Sequence, residues 1–103
     1  MENIREKVQP LYESGDLLGF SICGNAGEVL HNESFFSDEV AWQATAPFVR
    51  VGRQMEKADR TVKRLTVELE SVTLIYSQIE AGHALFTLDK GSDLDTAAKT
   101  LAM

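Results

Sequence analysis

The chain has 103 residues, a net charge of −6, and ordinary apolar (44%) and charged (25%) fractions. That length suits one domain able to bury roughly two-thirds of its unfolded surface without disulfides or metal, and the composition is not that of a disordered chain. The acidic balance argues against nucleic acid as a default partner, because phosphate binding needs clustered Lys and Arg.

Ile4, Val8 and Leu11 recur at helical spacing with charged residues between them, which predicts an N-terminal helix. Pro10 removes a hydrogen bond late in that helix, so it either kinks there or ends near Gln9. Leu17–Cys23 reads as a strand with Leu18, Phe20 and Ile22 on one face. Gly19, Ser21 and Cys23 line the other face, where small side chains leave room for a helix. Asn25-Ala-Gly27 follows as a tight hairpin, with Gly27 able to take the positive φ it demands. Glu28–Asn32 is shorter and more polar, as an edge strand should be.

Ser37-Asp38-Glu39 can cap a second helix and complement its N-terminal dipole. From Val40 onward Ala41, Ala44, Phe48, Val51 or Gly52, Met55 and Ala58 keep helical spacing. Pro47 interrupts it. With Thr45 as an N-cap and Pro47 in the first turn, Val40–Ala44 would become a separate short turn. Ala41, Ala44 and Gly52 leave one side of this element thin, open to another backbone from the sheet or a second subunit.

Arg64–Glu70 alternates apolar and polar residues with period two, the pattern of a half-buried edge strand. Thr73–Ile79 and Ala84–Leu88 are apolar on both faces and read as inner strands. Val72-Thr73 and Glu80-Ala-Gly82-His83 are the expected links. A last helix is predicted after Lys90-Gly91, with Ser92 as N-cap, Asp95 completing the cap, and Leu94, Ala97, Ala98 and Leu101 buried.

No Walker lysine loop, nucleotide-binding glycine run, nucleophile elbow or HExxH motif occurs. Cys23, His31 and His83 match no metal-ligand spacing. Cys23 is expected to be an inert packed thiol, His31 an edge-strand surface residue and His83 a turn residue. Glu68 and Glu70 share a strand face opposite Leu65, Val67 and Leu69, which reads as a solvated face. The expectation is a protein without catalytic residues, cofactor or metal. Trp42, near Phe35 and Phe36, either plugs the end of the core or marks a contact surface. The basic residues Arg50, Arg53, Lys57, Arg60, Lys63 and Arg64 alternate with Glu56 and Asp59, as on a solvated helix face.

The start Met1-Glu-Asn-Ile-Arg-Glu-Lys lacks the apolar core of a signal peptide, and no apolar run approaches a membrane span. A single cysteine excludes an intrachain disulfide and fits a reducing compartment. A cytoplasmic protein that contacts no membrane is expected.

The succession Leu17–Gly24, Asn25-Ala-Gly27, Glu28–Asn32, a central helix, Leu65–Leu69, Thr73–Ile79, Gly82 and Ala84–Leu88 resembles the roadblock-type dynein light chain family, which also has bacterial members. The resemblance covers nearly the whole chain and rests on patterns of apolar residues and turns. It implies an α+β fold of the roadblock, longin and profilin type: a five-stranded antiparallel sheet with a central helix on one face and terminal helices on the other. It also implies a dimer, formed through the central helix and the mid-chain edge strand, that binds Ras-like GTPases or motor components. Pro10 and Pro47 depart from the family by interrupting helices it runs longer, and the link at Val72 lacks its glycine turn.

From this follow an expected homodimer interface at Phe48, Gly52, Met55, Arg64, Thr66 and Glu68, and a partner surface at Arg53, Lys57 and Arg60. Those three basic residues sit at roughly helical spacing opposite Phe48 and Met55; the stripe either steers an acidic partner or merely solubilises the helix. Antiparallel self-pairing of the edge strand centred on Thr66 sets Arg64 opposite Glu68 of the second copy; centring on Val67 sets it opposite Glu70. Pairing also removes an unprotected edge. The leading expectation is therefore a non-enzymatic adaptor for a small GTPase. The alternative is a small-ligand sensing module with a pocket between sheet and helix.

Overall fold

The structure, a computed structural model, describes residues 2–62, 64–94, 97, 99 and 101. Its elements are α1 (Glu2–Glu13), β1 (Leu17–Cys23), β2 (Val29–Asn32), α2 (Asp38–Lys57), β3 (Arg64–Glu68), β4 (Val72–Ile79) and β5 (Gly82–Asp89). The strands form one antiparallel sheet in the order β2-β1-β5-β4-β3. The α+β class and the five-stranded sheet are as expected, with β2 and β3 at the two edges and β4 and β5 inside.

Period-two alternation sorts the strand residues between two cores. Leu17, Phe20, Ile22, Ile75, Ala84, Phe86 and Leu88 face α1 and pack on Ile4, Val8 and Leu11. Leu74, Tyr76 and Leu85 face α2 and pack on Phe48 and Val49. Burying each large apolar side chain contributes about 1.5–3 kcal/mol, so a sheet covered on both faces gains twice from the same strands. Ala97 and Leu101 join the α1 cluster, and Leu94, Ala97 and Lys99 have helical backbone.

Several local expectations are corrected. In β1 it is Leu17 (3% exposed), not Leu18 (45%), that shares the core face with Phe20 and Ile22. The pairing of β1 with β5 skips Leu18, and that irregularity shifts the alternation by one residue. The α1 helix does not stop near Gln9 but continues through Pro10 to Glu13. It closes with Asp16 N–H donating to Leu11 O and Gly15 N–H to Tyr12 O, a Schellman end.

The second helix is likewise one element. Ser37 is its N-cap, accepting from Val40 N–H, with Asp38 and Glu39 in the first turn as expected. Thr45 is no N-cap: it lies mid-helix and its hydroxyl donates to Ala41 O at 2.8 Å. Pro47 deletes a helical hydrogen bond at a cost of about 3 kcal/mol; the buried Phe48 and Val49 that follow it offset this by packing on the sheet. With 20 residues, α2 is about 30 Å long, enough to cross the sheet from the β2 edge to the β3 edge.

The strand links also differ from expectation. Val72 and Thr73 belong to β4, and the β3–β4 link lies earlier, closed by Leu69 N–H donating to Val72 O. Only Glu80 and Ala81 separate β4 from β5, so His83 is a strand residue rather than a turn residue. Gly27 takes its expected positive φ, 89°. The Ser92 hydroxyl donates to Asp16 O, Leu94 is the first helical residue that follows, and Ala97 N–H donates to Asp93 O. The expected roles of Asp95 and Ala98 fall outside the described residues.

Candidate functional site

Three flanks of α2 do different things. One flank, with Ala41, Thr45, Phe48 and Val49, is buried against the sheet. A second carries Val40, Pro47, Val51 and Met55 at helical spacing, all exposed, with Ala44 half-buried beside them. A third, with Trp42, Ala46, Arg50 and Arg53, leans toward the β1–β2 hairpin.

The apolar second flank has a counterpart in β3. Leu65 packs beneath α2, and Val67 and Leu69, two and four residues on, carry the same apolar row outward, where both are exposed. Arg64, Thr66 and Glu68 alternate with them on the opposite face, paired in register with Ser77, Ile75 and Thr73. The outer side of β3 meets no strand among the described residues.

Of the residues expected at a dimer interface, Met55, Arg64, Thr66 and Glu68 are exposed. Phe48 is instead a core residue, its ring stacked on Tyr76 at 5.6 Å. Gly52 turns away from the apolar flank and lines a cavity near the hairpin. Arg53 and Lys57 are exposed on α2, but Arg60 does not extend the stripe. The helix ends at Lys57, Asp59 adopts φ 58°, and Arg60 N–H folds back onto Met55 O. Asp59 occupies the left-handed position of a Schellman end, which terminates the helical spacing before Arg60.

The third flank borders a cleft whose lining residues sequence reasoning did not identify, although its alternative reading had a pocket between sheet and helix. Its outer part, about 340 Å³, lies between Asn25, Ala26, Trp42, Val49, Arg50 and Arg53. Its inner part, about 90 Å³, shares Asn25, Val49 and Arg53 and adds Gly52, Glu56, Tyr76 and His83. Trp42 is half-buried and lies over the hairpin, so close that a Cβ on Gly27 would stand 3.0 Å from its ring. It is both an edge of the core and a wall of the cleft, whereas Phe35 is 66% exposed.

His83 is only 5% exposed. Its Nδ1 is 2.6 Å from the Tyr76 hydroxyl, and its Nε2 has no hydrogen-bond partner. Burial, reinforced by the field of Arg53, lowers the His83 pKa from 6.5, so the ring is neutral at pH 7. Burial raises the Tyr76 pKa, so the phenol stays protonated. The signal for His83 was its register: it falls in phase with Leu85 and Thr87 on the α2 face of β5.

Cys23 is fully buried, and burial raises its thiol pKa, with Glu28 and Asp38 adding to the effect against a contact from Thr45. His31 is half-buried at the β2 edge, 2.6 Å from Glu33, which also meets Arg5 at 3.1 Å. Among the described residues no group of three or more His, Cys, Asp or Glu is arranged to hold a metal, and no helix is long and apolar enough to cross a membrane. Comparison with protein-family models finds no match for the chain, and comparison with curated proteins finds no relative.

Proposed function

We propose that the chain is a non-enzymatic cytoplasmic adaptor of the roadblock type, which pairs with a second copy through α2 and β3 and binds a Ras-like small GTPase across the paired helices. The observation that carries this reading is the exposed apolar row of Val51 and Met55 on α2, accompanied by Val67 and Leu69 on an edge strand. Exposed apolar residues beside an open strand edge favour association with another chain. A second β3 laid antiparallel across this edge continues the sheet, and its own α2 covers Val51 and Met55. Joining of the C-terminal stretch to the α1 core supports the further view that both terminal helices lie on one face, opposite α2. Arg53 and Lys57 form a basic flank suited to steering an acidic partner in a chain that is otherwise acidic.

Light scattering at micromolar concentration tests the pairing. The native chain is expected to have the dimer mass. Val51→Glu with Met55→Glu, or Thr66→Pro, should give a folded monomer. A native monomer would refute the dimer. For the partner, nucleotide-loaded small GTPases from the source organism are passed over the immobilised chain. Retention that weakens at low salt on Arg53→Glu with Lys57→Glu supports the basic flank as the contact; no retention of any such GTPase sinks the adaptor reading.

A further inference from the structure

We infer that the cleft between α2 and the β1–β2 hairpin binds a small anionic molecule. Its carboxylate or phosphate sits between Arg50 and Arg53, and its neutral hydrogen-bond acceptor reaches inward to His83. This site lies on the other side of α2 from the apolar row and does not depend on the adaptor reading.

Charge is the first argument. The chain carries 16 carboxylate side chains against 10 Lys and Arg. The residues lining the outer cavity nevertheless include two arginines, Asn25 and Trp42, and no carboxylate. Guanidinium groups present donors in a fixed fork that matches an oxyanion. Glu56 is the one acid in the inner lining, so it disfavours a second negative group there and sets the ligand's polarity: charged end outward, neutral end inward.

The second argument is His83. It lines the inner cavity with its Nε2 buried and unpartnered. The Tyr76 hydroxyl lies 2.6 Å from His83 Nδ1, the ring tautomer decides which of the two donates, and we take the tautomer in which the phenol does. With the phenol donating to Nδ1 of a neutral ring, the remaining hydrogen is on Nε2. A buried N–H without an acceptor is costly, and a carbonyl or hydroxyl oxygen entering the inner cavity would satisfy it. The inner volume of about 90 Å³ holds only a few atoms, roughly three water-sized groups. That limits the inward end to a short acceptor.

Trp42 is the chain's single tryptophan and forms the outer wall, so its fluorescence reports occupancy. The native protein is titrated at constant ionic strength with inorganic phosphate, glycerol 3-phosphate and lactate, the last two carrying a short neutral hydroxyl acceptor, while imidazole NMR follows His83. A saturable change in Trp42 emission is expected with at least one probe. Response to both phosphates but not lactate marks the natural ligand as a phosphate ester; response to lactate extends it to carboxylates. Arg50→Gln with Arg53→Gln, at two exposed positions, should weaken binding roughly tenfold or more. A Cβ on Gly52 meets nothing within 4 Å, so Gly52→Leu should fold and fill the inner cavity, abolishing the His83 shift. The inference is overturned by no saturable change at about 10 mM probe, tenfold above a millimolar Kd, or by binding undiminished in the double arginine variant. A Trp42 response without any His83 response would overturn the inward contact. Dimer mass is read separately, so failure here leaves the association test intact.

Discussion

Replacing Gly82 by alanine should be among the most damaging single-methyl changes available to this chain. Gly82 opens β5 at φ 143°, and a Cβ built there would lie 2.3 Å from Cys23 O and 2.9 Å from Gly24 Cα. Both are backbone atoms of the neighbouring β1 end, so neither can rotate aside. The positive φ alone costs about 1–3 kcal/mol for a residue with a side chain, and overpacking adds about 1–3 kcal/mol. The sum, about 2–6 kcal/mol, is a large part of the roughly 5–15 kcal/mol that holds a domain folded. At about 4–8 °C per kcal/mol for a domain near this size, Tm should fall by about 10 °C or more. Urea unfolding followed by circular dichroism measures the loss directly, with Gly52→Ala as control. Gly52 lies in α2 with open space around it, so alanine there should be neutral or stabilise by up to about 1 kcal/mol. A Gly82→Ala loss below about 1 kcal/mol would refute the reasoning, because it would mean that β5 starts elsewhere.

Two further outcomes follow from the buried polar groups. His83 has a lowered folded pKa, so in the unfolded chain it takes up a proton at a pH where the folded ring does not. Stability should therefore be fully present above about pH 6.5 and decline as pH falls below it; urea midpoints from pH 8 to 5 should show this slope, and a folded His83→Gln variant should flatten it. Cys23, buried with a raised thiol pKa, should react with a disulfide reagent at pH 8 only as fast as the chain opens, and much faster in urea. Prompt native-state labelling would show that the β1 end is accessible.

Much of the architecture was legible because it is written in short-range periodicity. The alternation in Arg64–Glu70, the doubly apolar runs Thr73–Ile79 and Ala84–Leu88, the cap at Ser37 and the Gly27 turn each depend on residues a few positions apart, although the observed strands differ from these runs by a residue or two at their ends. The basic pair Arg53 and Lys57 was visible for the same reason, whereas the apolar face expected for α2 mixed Ala41 and Phe48, which are buried, with Val51 and Met55, which are exposed. Local rules failed where distant packing overrode them. Pro10 and Pro47 should interrupt their helices, yet the helices run on because the residues flanking each proline are buried on the sheet. The skipped Leu18 exchanged one core residue for its neighbour, which only the pairing with β5 determines.

The cleft lay furthest from the sequence. Asn25, Arg50, Arg53 and His83 come from a hairpin, a helix and a strand more than twenty residues apart in places, and no spacing links them. By itself the sequence determined which segments are strands and helices and which of their faces are apolar, since both are consequences of backbone geometry and burial within a few residues. Tertiary structure alone decided that His83 is buried, that Gly52 borders a cavity and that Phe48 is core while Met55 is not. Those outcomes depend on where α2 crosses the sheet, which is settled by the packing of whole surfaces against one another.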